Sequence, residues 1–447
     1  MDRLEELANK PVGRLLWQYS VPAVVGMLVM ALYNVVDRIF IGQWVGPDAI
    51  AGLAVTFPIM NLATAIGVLV GVGASSRVSI VLGGGDKRQA ELLLGNAMTL
   101  TLVNAGIYIL VFSVFIDEML RAFGASDATL PYGREYMLTL MPGLLLTNIA
   151  FGFNNIMRAS GYPKRAMATM LLGAVVNVVL DPIFIRVLDM GIVGAAIATD
   201  VAMAASACFV MAHFGRRDVS LRFRRGTYGL KWSIIWGIVS IGAAPALVNA
   251  ASCAINAIVN RSLSEWGGDR AIGAAGIMIT FTSLLVTVVL GICQGMQPIV
   301  GYNYGAKQMH RLKRAYWLAV GVSSVITLAG ALFGLFFPSA VARAFTSDAD
   351  LIAASDRALS LCLLCFPFVG FQVISTAFFQ SIGKAGKSIF LSLSRQVIFL
   401  IPLLLWLPGR FGVEGVWGSF PVSDFAATVA TVFMIAWEFR RLSRRNA

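Results

Sequence analysis

Four aspartates lie inside long apolar stretches of the sequence: Asp37, Asp181, Asp200 and Asp424. An ionised aspartate at the centre of a membrane-spanning helix costs at least about 2.5 to 3.5 kcal/mol on insertion scales, so such a residue usually has a function. In the segment NVVLDPIF, Asp181 follows Asn177 by four residues, which places both side chains on one face of a helix. Carboxylate and amide oxygens bind hard cations, and paired carboxylates can also share a proton. The first chemistry that the sequence suggests is therefore a cation or proton site inside a membrane.

The composition requires such a membrane. The chain has 447 residues, of which 58% are hydrophobic and 13% charged, whereas about 25% of the residues in an average soluble domain are charged. The formal net charge of +12 does not indicate a nucleic-acid partner, because the basic residues lie in short gaps between apolar runs and form no ordered basic face. Five cysteines, an odd number in apolar surroundings, argue against a disulfide framework.

Apolar runs long enough to cross a bilayer, which takes about 20 residues, recur along the whole chain. They predict an all-α integral membrane protein with twelve transmembrane helices, numbered here as spans 1 to 12. Their predicted ranges are 15–43, 49–75, 90–116, 132–157, 165–187, 191–213, 233–261, 271–300, 312–337, 356–381, 388–407 and 412–437.

The gaps between the spans alternate in charge. Lys and Arg are concentrated at 158–165, 216–231, 307–314 and 440–445, and Asp and Glu at 117–135, 265–269 and 348–356. Because basic gaps stay on the cytoplasmic side, this alternation predicts a multi-pass protein of the plasma (inner) membrane with both termini cytoplasmic.

The two halves of the chain resemble each other. GIVGAAIA at 191–198 aligns with GVEGVWGS at 412–419, and prolines recur at offsets of about 220 residues. We expect an N-terminal lobe of six spans at 1–214, a basic linker at 215–232 and a C-terminal lobe of six spans at 233–447, related by a pseudo-twofold axis. Prolines inside spans bend helices, and three of them are candidate hinges: Pro22, Pro182 and Pro245.

Helical rise places three polar residues at one depth. Asp37 and Asp181 each lie about 9 Å below the outer end of spans 1 and 5, and Thr199 lies about 12 Å below the outer end of span 6. With Asn177, slightly deeper, they form a candidate cation or proton site. Asp200 points off that face, and Asn154 is a further polar candidate in span 4.

An alternative for Asp37 is a purely structural ion pair with Arg38 or Arg186 at the headgroup boundary. Residues next to each other on a helix point about 100° apart, which weakens the pair with Arg38. The sequence has no HExxH, GxSxG or GxxxxGK motif, so enzymatic hydrolysis and ATP-driven transport lack their usual signals. We therefore expect that the protein is not an enzyme, needs no cofactor and binds no metal other than a coupling Na⁺. We expect its energy to come from an ion gradient.

Five segments together resemble the multidrug and toxic compound extrusion (MATE) family: YNVVDRIFIG (33–42), GGGDKRQAE (83–91), RASGYPKRA (158–166), NVVLDPIF (177–184) and GIVGAAIAT (191–199). The resemblance covers essentially the full length. It implies two six-helix lobes in a V shape around a central cavity, and export of organic cations and drugs in exchange for Na⁺ or H⁺. In the prokaryotic DinF-like branch the coupling-ion site uses an aspartate, an asparagine, a second aspartate and a threonine of the N-terminal lobe. The matching residues here are Asp37, Asn177, Asp181 and Thr199.

The substrate cavity of such a protein should be lined by apolar, aromatic and methionine side chains. Candidates by position are Met27, Met30, Phe57, Met60, Phe153, Met278 and Phe281. The partners we expect are small organic cations or drugs and membrane lipid, with the protein a monomer. Two alternatives stay open: a flippase for lipids or lipid-linked oligosaccharides of the same superfamily, and an integral-membrane enzyme. The sequence does not distinguish Na⁺ from H⁺ as the coupling ion.

Overall fold

The computed structural model describes residues 3–444, so Arg445 of the basic C-terminal tail lies outside it. The described chain is a helical bundle. A short helix, α1 (Arg3–Asn9), precedes the first membrane-spanning helix. The N-terminal half then continues through six long helices, in agreement with spans 1 to 6: α2 (Val12–Trp44), α3 (Pro47–Gly83), α4 (Lys87–Ala122), α5 (Leu130–Ala159), α6 (Pro163–Pro182) and α7 (Gly191–Gly215).

The next helix, α8 (Trp232–Gly305), has 74 residues and would be about 111 Å long if it were straight, several times the thickness of the bilayer core. It is interrupted at Gly268, whose φ of 65° and ψ of −164° are not helical. Both ends of α8 approach α3: Gly242 packs on Leu69, and Gly305 packs on Ile80. Since both ends meet the same helix, α8 reverses at Gly268 and supplies spans 7 and 8.

The C-terminal half completes the set with more broken helices. The segments α11 (Ala349–Cys362) and α12 (Val369–Ser381) form one span bent by 55°, and a short helix, α10 (Pro338–Arg343), precedes them. Ten described helices are long and apolar enough to cross a membrane, the bent pair adds an eleventh span, and the reversal in α8 brings the total to the twelve predicted spans. The remaining bounds are α9 (Met309–Phe336), α13 (Ala385–Leu393), α14 (Ile401–Trp406), α15 (Pro408–Phe411) and α16 (Val413–Arg444).

A wider, π-helical turn interrupts the same span of each half. It covers Ile183–Val187 after Pro182 in span 5, and Ser394–Leu400 before Pro402 in span 11. Proline lacks the N–H group that a regular α-helix needs and its ring crowds the preceding turn, so the helix changes its hydrogen-bonding pattern nearby.

The two halves meet along a seam of small residues, which we call the inter-lobe seam. A Cβ atom built on Gly73 would lie 2.0 Å from the carbonyl oxygen of Ile238, and one on Gly83 would lie 2.0 Å from that of Tyr302. Only glycine lets backbones approach so closely, which is how small residues pack membrane helices. The seam extends to the ends of α3 and α8, at Gly83 and Gly305.

The segment between α7 and α8 packs on the N-terminal half. Arg224 forms an ion pair of 2.8 Å with the buried Glu91 of α4, and the Asn96 side chain donates to the carbonyl oxygen of Thr227. The basic segment is therefore tied to the end of α4.

Candidate functional site

In the segment NVVLDPIF, two polar side chains lie on the buried face of α6. Asn177 and Asp181 are both 0% exposed. The amide nitrogen of Asn177 donates to Asp181 Oδ1 and to Thr199 Oγ1 of α7, each at 3.3 Å. One amide thus joins Asp181 and Thr199, two of the three residues that helical rise placed at a common depth.

Asp37 of α2 completes the group, because its carboxyl group is close enough to interact directly with that of Asp181. Three buried oxygens here have no hydrogen-bond partner among the described residues: Asp37 Oδ1, Asp181 Oδ2 and Asn177 Oδ1. Three helices thus bring together four predicted residues, three of which carry an unpartnered buried oxygen.

Two carboxylates that interact directly in a low-dielectric setting repel each other unless a proton or a cation lies between them. The donor set is all oxygen, with two carboxylates, an amide and a hydroxyl. Hard cations such as Na⁺ prefer this set, and it can equally hold a shared proton.

A cavity of about 710 Å³ opens beside Asp37; we call it the first-lobe cavity. Its walls come mostly from α2, α3, α5, α6 and α7, and it includes Thr199. Two tyrosines that sequence reasoning missed, Tyr33 and Tyr136, also line it and interact electrostatically with Asp37. For Tyr33 a signal existed, because it precedes Asp37 by four residues and therefore shares its helical face.

The two additional polar candidates have different surroundings. Asp200 lies against the backbone of Gly143, since a Cβ atom there would be 1.8 Å from Asp200 Oδ1, and the residue does not line the described cavities. Asn154 lines the first-lobe cavity, donates to the carbonyl oxygen of Ala166 at 2.6 Å and accepts from Arg158 at 2.7 Å. It therefore connects α5 to the start of α6.

The predicted substrate-cavity residues divide into two groups. Met30, Phe57 and Met60 line the first-lobe cavity, and Met27 lines a second cavity between the lobes. The other three do not line either of these two cavities and pack in hydrophobic clusters: Phe153, Met278 and Phe281. Phe153 is 1% exposed and packs edge-on against Phe214.

The second cavity, the inter-lobe cavity, has a volume of about 400 Å³ and is lined by residues of both halves. Pro245 and Arg395 contribute to its wall. Asp424 of span 12, the fourth aspartate inside an apolar stretch, accepts a 2.6 Å hydrogen bond from Arg395 Nε. The partner is a base in span 11, so a search for a second acid could not find it.

The candidate hinges differ in their surroundings. Pro22 is buried within the continuous helix α2, Pro245 lies in α8 at the inter-lobe cavity, and Pro182 directly precedes the π-helical turn. These are three places where a backbone hydrogen bond of the helix is absent.

Comparison with known proteins explains this arrangement. The MatE family model matches residues 22–183 and again residues 245–406. The chain belongs to the MATE family. Both matches are offset by 223 residues, from 22 to 245 and from 183 to 406, which confirms the internal repeat.

This MATE protein is similar over nearly its full length to characterised transporters. It is 24% identical to the multidrug export protein MepA of Staphylococcus aureus (strain MSSA476), with 97% of this chain and 96% of the relative covered. It is 26% identical to the FAD transporter of Shewanella oneidensis, with 96% and 95% covered. A solved outward-facing MATE multidrug resistance transporter of the MOP superfamily superposes with a TM-score of 0.92 at 26% identity, over 99% of this chain and 98% of that one. The protein is thus a multi-pass membrane transporter of two repeated lobes.

Proposed function

We propose that this MATE transporter is a secondary active exporter that exchanges small organic molecules for Na⁺ or H⁺ by alternating access. The observation that carries the proposal is the group of Asp37, Asn177 and Asp181, each of which has one buried, unpartnered oxygen. A bound cation or proton would satisfy these oxygens, and its loss would leave two carboxylates in repulsion. Such a difference gives an ion gradient a means of changing the conformation.

Alternating access needs two lobes that can close at either side of the membrane. We place the lobes at 1–214 and 233–447, joined by the linker at 215–232. With the basic gaps and both termini on the cytoplasmic side of the plasma membrane, the inter-lobe seam is the closed cytoplasmic gate. Pro22, Pro182 and Pro245 are the proposed hinges for its opening.

The substrate class rests on the relatives and the cavities. The family resemblance implies organic cations and drugs, and the names of the two curated relatives point to drugs in one case and to a flavin nucleotide in the other. No cofactor is needed for such transport, and a monomer contains both cavities. The carboxylates of the first lobe favour ion-coupled export over a flippase or an integral-membrane enzyme.

The test is an efflux assay in proteoliposomes with Asp181→Asn and Asp37→Asn. We expect each variant to abolish coupled efflux while the purified protein stays monodisperse, because the amide cannot carry the charge that binds the ion. Asp218→Asn is the matched control, since Asp218 lies in the linker and pairs with the exposed Arg216. Efflux at the wild-type rate in either site variant would contradict the proposal. Applying a Na⁺ gradient and a pH gradient separately identifies the coupling ion.

A further inference from the structure

The inter-lobe cavity has a different polarity from the first-lobe cavity. Among its described lining residues, Arg395 is the single charged one, and no carboxylate faces it. Most of the other polar side chains in the wall are amides, including Gln372, Gln380 and Gln396. The first-lobe cavity, by contrast, contains Asp37 together with Arg38.

Arg395 directs its charge toward the cavity. Its Nε atom donates to Asp424 Oδ1 at 2.6 Å. The Asp424 side chain is 5% exposed and that of Arg395 is 28% exposed, so the acid lies behind the base. A guanidinium group has five N–H donors, and the ion pair uses the one on Nε, which leaves the terminal nitrogens for a ligand.

Two amide oxygens in the same wall are unpartnered among the described residues: Gln372 Oε1 and Gln396 Oε1. Gln372 is 5% exposed, and its amide nitrogen is held at 2.6 Å by both the carbonyl oxygen of Asp424 and Thr428 Oγ1. The nitrogen is fixed by these two bonds, so the buried oxygen has no donor among the described residues, and a ligand N–H group would supply one. Burying such an oxygen without a donor is costly.

A second arginine reinforces the positive potential. Arg158 is 3% exposed, and its described partners are the amides Asn154, Asn155 and Gln294. Asn155 and Gln294 themselves line the inter-lobe cavity. A buried guanidinium without a carboxylate partner makes the surrounding potential positive, which attracts anions.

We propose that the inter-lobe cavity selects substrates that carry a negatively charged group, which binds the terminal nitrogens of Arg395, and an N–H group that donates to Gln372. The inference rests on the proposed function and deepens it. The substrate charge is opposite to that of the organic cations implied by the family resemblance. Coupling ion and substrate then bind in two separate cavities, and neither competes for the other's site.

The test compares three fluorescent ligands on the purified full-length protein: riboflavin 5′-phosphate, riboflavin, and the permanent cation ethidium. The first two share one ring system with the same N–H donor and differ in the anionic phosphate. We expect the phosphate to tighten binding by about tenfold or more, the scale of a hydrogen bond to a charged group, and ethidium to bind most weakly. Equal affinity for the two flavins, or tighter binding of ethidium, would overturn the proposal.

Variants then assign the selectivity to Arg395. The double variant Arg395→Gln/Asp424→Asn removes both charges and avoids a buried unpaired acid; it should bring riboflavin 5′-phosphate to the affinity of riboflavin. Arg395→Lys keeps the charge and should retain part of the preference. Arg357→Gln/Glu414→Gln is the matched control, because that ion pair is exposed and lies away from the cavity. A double variant that folds and keeps the full preference would refute the role of Arg395.

The two proposals fail in different ways. Export of ethidium that is driven by Na⁺ or H⁺, without a preference for the phosphate, would refute this inference and leave the proposed function standing. A phosphate preference that depends on Arg395, without ion-driven transport, would support this inference and refute the proposed function. If the double variant does not fold, the comparison of the three ligands on the wild-type protein decides.

Discussion

A single methyl group at Gly242 should hold the proposed cytoplasmic gate open. Gly242 of α8 packs directly on α3, and a Cβ atom built there would lie 1.8 Å from the carbonyl oxygen of Leu69. An ordinary contact begins at 3.4 Å, so Gly242→Ala requires the two helices to separate by about 1.6 Å. The obstacle is backbone, which cannot rotate away as a side chain can.

Overpacking of this kind costs about 1 to 3 kcal/mol. If the lobes move as rigid bodies, the whole cost falls on the closed gate, and its population relative to the open gate drops about 5- to 150-fold. Alanine also favours the helix over glycine by about 1 kcal/mol, and this gain applies in both states. We therefore expect Gly242→Ala to fold normally and to lose efflux.

The assay is thiol labelling at the seam, read by peptide mass spectrometry. Ser79 is 0% exposed and contacts Gly301 across the seam, so Ser79→Cys should react slowly with a water-soluble maleimide in the otherwise wild-type protein. Adding Gly242→Ala should speed the reaction. Gly321→Ala is the control, because a Cβ atom at Gly321 has nothing within 4 Å. Unchanged labelling together with wild-type efflux would refute the rigid-lobe reasoning.

Two further predictions concern stability. Glu438→Gln should lower the free energy of unfolding by about 3 to 5 kcal/mol. The wild-type side chain is 0% exposed and pairs with two lysines, which would be left without a counter-charge. Glu414→Gln, at an exposed pair, should cost less than about 1 kcal/mol. Equal melting temperatures for these two variants would contradict the burial argument. Tyr316→Phe should lower the free energy of unfolding by about 1 kcal/mol, since it removes a buried hydrogen bond of 2.8 Å to Ser375. A melting temperature at or above that of the wild type would count against a stabilising role for that bond.

Much of the fold followed from the sequence, because a bilayer imposes simple rules on it. Length and hydropathy predicted the spans, and the structure has α2 at Val12–Trp44 where 15–43 was expected. The repeat was visible in the spacing of the prolines, and the family matches at 22–183 and 245–406 confirm it. Depth could be computed because helical rise is constant. That arithmetic grouped Asp181 with Thr199, and the structure joins both through Asn177.

Which face each helix presents to its neighbours was decided only by the tertiary structure. A helix that is apolar all around has no amphipathic pattern to show its inner side. Phe153 was therefore expected at the cavity and lies in the core, and Asp424 seemed isolated although Arg395 of another span pairs with it. The rotation of each helix is set by close backbone contacts, such as that of Gly242 with Leu69, between residues far apart in the chain. The sequence by itself determined how many helices cross the membrane, and at what depth their polar groups lie, because hydropathy and helical rise are local. The polarity of the inter-lobe cavity came from packing, because it depends on which side chains of two separate lobes face each other.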